Sequence, residues 1–277
     1  MPDLLAAALL GIIEGITEFL PISSTGHLLI AENWLGHRSD LFNIAIQAGA
    51  ILAVVLIYRQ RLWDLALAFA GRGAGPAASG VAGARDYGLK LIAAFGVTAV
   101  LGLLVKKAGW QLDDAIGPIA WALVLGGIWM VLAEQLAARR ATALGEPSDI
   151  TWAVAILVGI AQVVAGVFPG TSRSAATIFV ALLFGVTNRA AATEFAFLVG
   201  IPTMFAASGY ELFDVYRQGR AAGEDWAALG VAFVASALTA FIAVKWLLRY
   251  IQSHRFTLFA VYRLALGAVL LLLMPGA

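Results

Sequence analysis

Long apolar segments recur along almost the whole chain, and they constrain its fold more than any other feature. A helix that crosses the hydrocarbon core of a membrane needs about 20 predominantly apolar residues. Seven segments fit that description: 42–58, 88–105, 119–134, 152–168, 190–210, 227–248 and 257–274. Only 13% of the residues are charged, about half the share found in soluble domains. The sequence therefore predicts an all-α, polytopic membrane helical bundle, with residues 1–277 forming a single integral membrane domain.

The same composition limits which functions are open to the chain. Lys and Arg number 18 against 17 Asp and Glu, and no basic run indicates nucleic acid as a partner. The absence of Cys excludes thiol nucleophiles, disulfides and thiolate metal sites. The apolar stretch 4–13 has no basic segment before it and leads into Glu14 and Glu18, so we do not expect a cleaved signal peptide.

Two further apolar segments are interrupted by proline and hydroxyl residues. The first covers 4–20 and continues over 24–35, with Pro21 between the two parts, while the second, 174–186, follows Pro169. Broken helices at membrane depth are tolerated only where they are buried in protein or line a cavity. The sequence therefore predicts two re-entrant helix pairs.

The segments around these prolines also resemble each other at an offset of 148 residues. Gly11 to Ser24 (GIIEGITEFLPISS) parallels Gly159 to Ser172 (GIAQVVAGVFPGTS). Element order and proline positions agree, although few residues are identical. We predict two homologous halves, 1–145 and 146–277.

The distribution of Lys and Arg among the connecting segments predicts the orientation in the membrane. On the side assigned to the cytoplasm lie Arg59, Arg61, Arg72, Arg85, Lys90, Arg139, Arg140, Arg189, Arg249 and Arg255. On the opposite side lie Arg38, Lys106, Lys107, Arg217 and Arg220. This bias places segment 59–87 inside and segment 211–226 outside. Because those segments are equivalent in the two halves, the halves must have inverted topology, which favours a site near the midplane, where the broken helices meet.

The first polar cluster at predicted membrane depth surrounds Pro21. Glu14 and Glu18 are four residues apart, so on a helix they share one face. Two carboxylates at that depth are costly unless they are protonated, paired or bound to a cation. Both are therefore candidate ligands of a divalent cation.

The hydroxyl residues after Pro21 have two interpretations. Ser23 or Ser24 is expected to cap the helix that follows. Capping by one serine does not account for the three consecutive hydroxyls that end at Thr25, or for His27. We expect Ser24, or a water molecule, to act as a nucleophile with His27 as the proton shuttle, and Ser23 and Thr25 to contact phosphate.

The second cluster follows Pro169 and is suited to an anion. Gly170 allows the backbone to approach a ligand closely, and the helix that starts near Ser174 presents free N–H groups and its positive dipole end. Arg173 adds a permanent charge with a forked donor set that matches phosphate oxygens. The hydroxyl residues around it are Thr171, Ser172, Ser174 and Thr177.

The two clusters together predict one site for phosphoryl transfer. That reaction needs charge stabilisation on the phosphate oxygens and a positioned nucleophile. A simpler interpretation is that Arg173 only pairs with Glu14 or Glu18 across the two halves, which remains compatible with phosphate binding. The alternative function is a lipid flippase or secondary transporter, because inverted repeats with broken helices are also typical of transporters.

Arg263 lies inside the last apolar segment, where a charge is costly and usually functional. Two structural explanations compete with a functional one. The side chain either snorkels towards the interface or pairs with Glu194. We favour a structural role.

At these residues the sequence resembles the undecaprenyl-diphosphate phosphatase family of the bacitracin-resistance type. The resemblance is carried by EGITEFLPISSTGH, from Glu14 to His27, and by PGTSRSAAT, from Pro169 to Thr177. The pair Tyr262 and Arg263 is a smaller similarity. Length and span pattern agree as well, so the resemblance covers essentially the whole chain.

The resemblance implies that the chain hydrolyses undecaprenyl diphosphate to the monophosphate and so recycles a lipid carrier for cell-wall synthesis. It implies a divalent cation, Mg²⁺ or Ca²⁺, a homodimer, and a site in the bacterial inner membrane that opens towards the periplasm. Glu18 is similar to the family's essential acid, Arg173 to its phosphate-binding arginine, Ser24 to its nucleophile and His27 to its proton-transfer residue. Glu14 matches a position where the family accepts Glu or Gln, so we expect it to matter less.

Overall fold

The computed structural model describes residues 3–72, 80–109, 116–145, 147–220 and 223–273, and all regular secondary structure within those ranges is helical. The helices are α1 Asp3–Thr17, α2 Ser24–Leu35, α3 Asp40–Ile57, α4 Arg59–Phe69, α5 Gly80–Lys107, α6 Ile116–Leu144, α7 Trp152–Val167, α8 Arg173–Leu183, α9 Arg189–Arg217, α10 Trp226–Ser253 and α11 Thr257–Leu273. The all-α class is confirmed.

Five helices are long and apolar enough to cross a membrane: α3, α5, α6, α9 and α10. The two remaining predicted spans are helices of 16 residues (α7) and 17 residues (α11). Each covers about 25 Å, less than the hydrocarbon core of about 30 Å. Met274, the predicted end of the last span, lies outside the described residues.

The outer surface of the bundle is apolar, as a lipid-facing surface must be. Large side chains on the long helices are exposed, among them Leu103, Leu125 and Ile242. A water-soluble monomer rarely exposes contiguous apolar area on this scale. Composition, helix length and surface together make this a multi-pass membrane protein.

Both predicted helix breaks are present. α1 ends at Thr17 and α2 begins at Ser24, so residues 18–23 form what we name the first turn. α7 ends at Val167 and α8 begins at Arg173, so residues 168–172 form the second turn. Residue 146, at the predicted boundary between the halves, lies outside the described residues.

The residues that are structurally equivalent in the two turns are shifted by one position relative to the sequence alignment. At an offset of 148 residues, Ser24 is matched with Ser172. The N-caps of α2 and α8 are instead Ser23 and Ser172, because the second turn has one more residue between its proline and its cap. Ser24 and Arg173 therefore occupy equivalent positions, at the start of their helices.

Close helix packing brings the two turns towards one region. α1 packs on α10 and α7 packs on α5, while α2 and α8 both contact α6. Glycines allow the first two approaches: a Cβ at Gly11 would collide with the carbonyl oxygen of Ala232, and one at Gly159 would lie 2.6 Å from that of Ala94. The interior next to α6 is therefore where both broken helices end.

Candidate active site

Glu18, in the first turn, joins the two polar clusters. Its Oε1 accepts a hydrogen bond from Arg173 Nη2, and its Oε2 accepts one from Ser24 Oγ. The Glu18 side chain is only 5% exposed, whereas that of Arg173 is 29% exposed. The structure thus contains the ion pair that we considered between Arg173 and Glu18, and adds Ser24 to it.

Ser23 rather than Ser24 caps α2. Its backbone has φ 74°, in the left-handed region that residues other than glycine seldom adopt. Its buried side chain accepts from the backbone N–H of Gly26 at 3.5 Å, a long hydrogen bond. Because Ser23 takes the capping position, the hydroxyl of Ser24 is left to contact Glu18.

His27 is held between two partners, neither of which is Ser24. Its Nδ1 lies 2.6 Å from the carbonyl oxygen of Ser23, and its Nε2 lies 2.6 Å from the hydroxyl of Tyr262. A carbonyl only accepts, so Nδ1 carries the proton of the neutral ring and Nε2 accepts from Tyr262. The two rings also stack, with centroids 5.6 Å apart. Sequence reasoning noted Tyr262 only as part of the family resemblance and did not predict this contact.

The hydroxyls of Ser172 and Ser174 hold the second turn together. Ser172 accepts from the backbone N–H of Ala175 at 3.3 Å, and its Oγ lies 3.1 Å from that of Ser174. Ser174 also donates to the carbonyl of Leu20 at 3.0 Å. That last bond ties the second turn to the first, so both serines already have protein partners and retain only part of their capacity for a phosphate.

The other predicted phosphate-contacting hydroxyls differ in accessibility. Thr177 is buried, and its hydroxyl donates back to the carbonyl of Arg173 at 2.8 Å. Thr25 is exposed and Thr171 is half-buried. Thr177 therefore stabilises the first turns of α8, whereas Thr25 and Thr171 stay accessible.

Gly170 is favoured as glycine by its backbone conformation and by its close packing. Its φ is 89°, and a Cβ there would lie 2.8 Å from the carbonyl oxygen of Ile119 and 3.0 Å from Cβ of Ala122. The second turn therefore approaches α6 closely at Gly170.

Arg263 neither snorkels nor pairs with Glu194. Glu194 pairs instead with Arg61 at 3.1 Å, and Arg263 is completely buried. Its guanidinium donates to five backbone carbonyls, those of Pro21, Ala122, Leu123, Gly170 and Thr171. Sequence reasoning identified the residue but missed these contacts.

Glu14 is fully buried, and neither of its carboxyl oxygens has a hydrogen-bond partner among the described residues. An unpaired buried carboxyl is costly unless a proton or a cation compensates it. No group of three or more His, Cys, Asp or Glu able to hold a metal ion occurs in the described part of the chain. Glu14 and Glu18 thus offer at most two carboxylates to an ion, which then needs ligands from elsewhere.

The chain is similar to known proteins over nearly its whole length. Residues 7–269 match the family described as "Bacitracin resistance protein BacA". A protein named undecaprenyl-diphosphatase from Rhizobium etli (strain CIAT 652) is 66% identical over 269 residues, covering 97% of this chain and 96% of the relative. One of the same name from Xanthomonas oryzae pv. oryzae (strain PXO99A) is 61% identical over 277 residues, covering 100% and 99%.

Proposed function

The chain belongs to the family of the bacitracin resistance protein BacA, and on that basis we propose that it hydrolyses undecaprenyl diphosphate to undecaprenyl phosphate. The reaction returns a lipid carrier to cell-wall synthesis and confers resistance to bacitracin. The observation that carries the proposal is that Ser24 and Arg173, the first residues of α2 and α8, bind the same carboxylate of Glu18.

Ser24 is the proposed nucleophile and Glu18 its base. A hydroxyl becomes a useful nucleophile when an adjacent base takes its proton, and Ser24 Oγ already donates to Glu18. Ser24 Oγ attacks the terminal phosphorus while its proton passes to Glu18. The bond from that phosphorus to the bridging oxygen breaks, and undecaprenyl phosphate leaves. Water then cleaves the phosphoserine and releases inorganic phosphate.

Arg173 and the start of α8 are the proposed site for the diphosphate. Only one nitrogen of the guanidinium is engaged by Glu18, so the others remain for phosphate oxygens. The N-terminus of α8 adds backbone donors and a favourable dipole. The remaining phosphate contacts are assigned to Ser23, Thr25, Gly170, Thr171, Ser172, Ser174 and Thr177, of which Thr25 and Thr171 are the accessible side chains.

His27 is the proposed proton shuttle. Its ring is fixed between the Ser23 carbonyl and the hydroxyl of Tyr262, a residue that is 42% exposed. In this role His27 would exchange its proton with the outside of the bundle through the hydroxyl of Tyr262.

Glu14 and Glu18 are the proposed ligands of a divalent cation, Mg²⁺ or Ca²⁺. The unpaired, buried oxygens of Glu14 fit this role. Mg²⁺ is often held by one or two carboxylates together with substrate phosphates, which suits a site with so few acids. The bound ion would neutralise charge on the diphosphate.

We also propose two inverted-topology repeats, 1–145 and 146–277, each with a re-entrant helix pair: α1 with α2, and α7 with α8. The packing supports this. α1 packs on α10 as α7 packs on α5, and α6 packs on α11, the last helix of the other half. Each half thus contributes the same elements to a shared interface.

The proposed location is the bacterial inner membrane, with the site opening towards the periplasm and a homodimer as the assembly. Two contacts support the sidedness assigned from Lys and Arg. Lys106 lies 3.5 Å from Glu211, and Arg220 lies 2.6 Å from Asp40. Segments that we assigned to the same outer side are therefore adjacent.

Phosphate release from undecaprenyl diphosphate by the purified protein in detergent tests the function. We expect release by the wild type, loss of release with a chelator, and a fall of about 10³-fold in Arg173→Ala, in the range known for arginines that stabilise phosphoryl transfer. Arg189→Ala is the matched control, because Arg189 also pairs with a buried carboxylate, that of Glu134, away from the turns.

No release by the wild type, or equal release by Arg173→Ala, would contradict the proposal. In that case the flippase or transporter alternative would be tested by following a labelled lipid across vesicles that contain the protein. Movement of the lipid without hydrolysis would replace the enzyme by a carrier.

A further inference from the structure

We infer that Arg263 is a positioning residue that sets the distance between Arg173 and the nucleophile, an inference that rests on the proposed phosphatase activity. Arg263 lies in α11, far along the chain from both turns, and its side chain is fully buried. Its partners are all backbone carbonyls, so its contacts do not depend on which side chains the turns carry.

The guanidinium has five N–H donors, and each has a carbonyl partner. Nη1 donates to Thr171 at 2.9 Å and, over a longer 3.5 Å, to Pro21. Nη2 donates to Gly170 at 3.0 Å and Ala122 at 2.9 Å, and Nε to Leu123 at 3.4 Å. We call these five carbonyls the carbonyl cluster.

The two arginines of the site are therefore built for different tasks. Arg173 is partly exposed and its fork is mostly free for a ligand. Arg263 is buried and has no donor left over, so it cannot bind phosphate without losing its own contacts. It acts on the reaction only through the backbone that it holds.

The backbone that Arg263 contacts in the second turn is the segment that leads into Arg173. Gly170 and Thr171, whose carbonyls accept the shorter of the bonds from Arg263 to the two turns, come just before the cap Ser172 and the start of α8. Nη2 and Nε of the same guanidinium also donate to Ala122 and Leu123 of α6. Arg263 thus anchors the second turn on α6 and, more loosely, on the first turn at Pro21.

Gly126 of α6 leaves the space that the guanidinium occupies. A Cβ at Gly126 would lie 2.7 Å from Cζ of Arg263 and would also collide with Nη2. The neighbouring Gly127 faces Leu264 instead, with a Cβ 2.9 Å from its Cγ. The chain therefore offers two glycines on the same interface of α6 and α11, only one of which touches the guanidinium.

The test compares four full-length proteins in the phosphate-release assay: wild type, Arg263→Lys, Gly126→Ala and the control Gly127→Ala. Lysine keeps the charge but has three donors instead of five. We expect kcat to fall about 10- to 100-fold in Arg263→Lys and Gly126→Ala, as displacements of about 1 Å in a catalytic group can cause. KM should stay within about threefold, because the groups that contact the lipid remain. Gly127→Ala should keep kcat within about twofold of wild type, since it crowds the same interface without touching Arg263.

A double variant, Arg263→Lys with Gly126→Ala, gives a result that general destabilisation would not give. Residues in direct contact show non-additive effects, so Gly126→Ala should lower kcat little further once Arg263 is lysine. Gel filtration and Tm establish that each variant is folded. If Arg263→Lys does not fold, the comparison of kcat between Gly126→Ala and Gly127→Ala tests the inference.

A folded Arg263→Lys with wild-type kcat, a rise in KM alone, or equal losses in the two glycine variants would overturn the inference. Failure of the proposed function is distinguishable, because in that case the wild type itself would release no phosphate.

Discussion

The first and second turns are built alike but carry opposite chemistry. Each ends in a serine with a left-handed backbone, φ 74° at Ser23 and 67° at Ser172, whose side chain accepts from the backbone N–H three residues later. The next residue then contacts Glu18: Ser24 after the first cap and Arg173 after the second. Equivalent backbones thus bring the hydroxyl of Ser24 and the guanidinium of Arg173 to the two oxygens of the Glu18 carboxylate.

The helices that precede the turns also differ, in the buried polar residue that each carries. Glu14 in α1 and Gln162 in α7 are both buried. The amide nitrogen of Gln162 donates to Thr98 at 3.0 Å, whereas Glu14 has no partner among the described residues. Gln162 is thus compensated at its nitrogen only, since its Oε1 also lacks a partner in the described part of the chain, whereas both oxygens of Glu14 lack one.

Glu18→Gln should have the largest effect, because it removes the charge on which both turns converge. We expect turnover to fall about 10³-fold, within the range for loss of a general base. Steady-state phosphate release checks this, with Glu134→Gln as a control that alters another buried carboxylate paired with arginine. A loss of less than tenfold would show that the shared carboxylate is not the base.

Ser24→Ala tests whether Ser24, the residue that follows the first cap, is the nucleophile. We expect a fall of about 10²-fold or more in turnover, because the covalent step is lost. Mass spectrometry of acid-quenched wild type should find phosphate on Ser24. Ser253→Ala, at an exposed serine of α10, serves as control. Near-normal turnover in Ser24→Ala would mean that water attacks directly and that Ser24 only binds.

Two substitutions, Glu14→Gln in α1 and Gln162→Glu in α7, test whether only the first half contributes a ligand to the proposed ion. Glu14→Gln should raise the Mg²⁺ concentration for half-maximal activity about tenfold, because ion affinity follows the charge of its ligands. Gln162→Glu should leave that concentration unchanged, since its partner Thr98 is not part of the site. Titration of activity with Mg²⁺ measures both. An unchanged requirement in Glu14→Gln would remove Glu14 from the proposed ion site.

Removing the caps should have the smallest effect and should act on stability. Ser23→Ala and Ser172→Ala each lose a cap, at a cost of about 1 kcal/mol, or a few degrees in Tm. Glycine at either position should restore part of that loss, because it adopts positive φ without strain. Thermal unfolding in detergent measures this, and a difference of more than about 10 °C between the two alanine variants would contradict the equivalence of the turns.

Much of the site was predictable from local sequence because its chemistry is local. Pro21 and Pro169 break apolar helices, and the hydroxyl of Ser24 and the guanidinium of Arg173, which follow them, meet at Glu18. The contacts of Tyr262 and Arg263 were not predictable. Tyr262 contacts His27 of α2, 235 positions away, and Arg263 contacts Pro21 of the first turn, 242 positions away. No local pattern specifies such pairings.

Tertiary packing also gives two of the predicted phosphate-contacting hydroxyls protein partners that the sequence does not specify. Ser174 and Thr177 are spaced as phosphate donors would be, but their hydroxyls bond to the carbonyls of Leu20 and Arg173. A hydroxyl at the start of a helix has several acceptors within reach, and tertiary packing selects among them.

The sequence by itself determined the membrane environment, the helix breaks and the two sets of reactive residues, because hydropathy, proline and charge act over a few residues at a time. Only the tertiary structure decided that Ser23 would cap and Ser24 would contact Glu18, that the glycine at 170 serves α6, and that Arg263 holds both turns. Each of these depends on which backbone carbonyls and carboxylates lie within about 3 Å once distant helices pack, the distance over which a hydrogen bond forms.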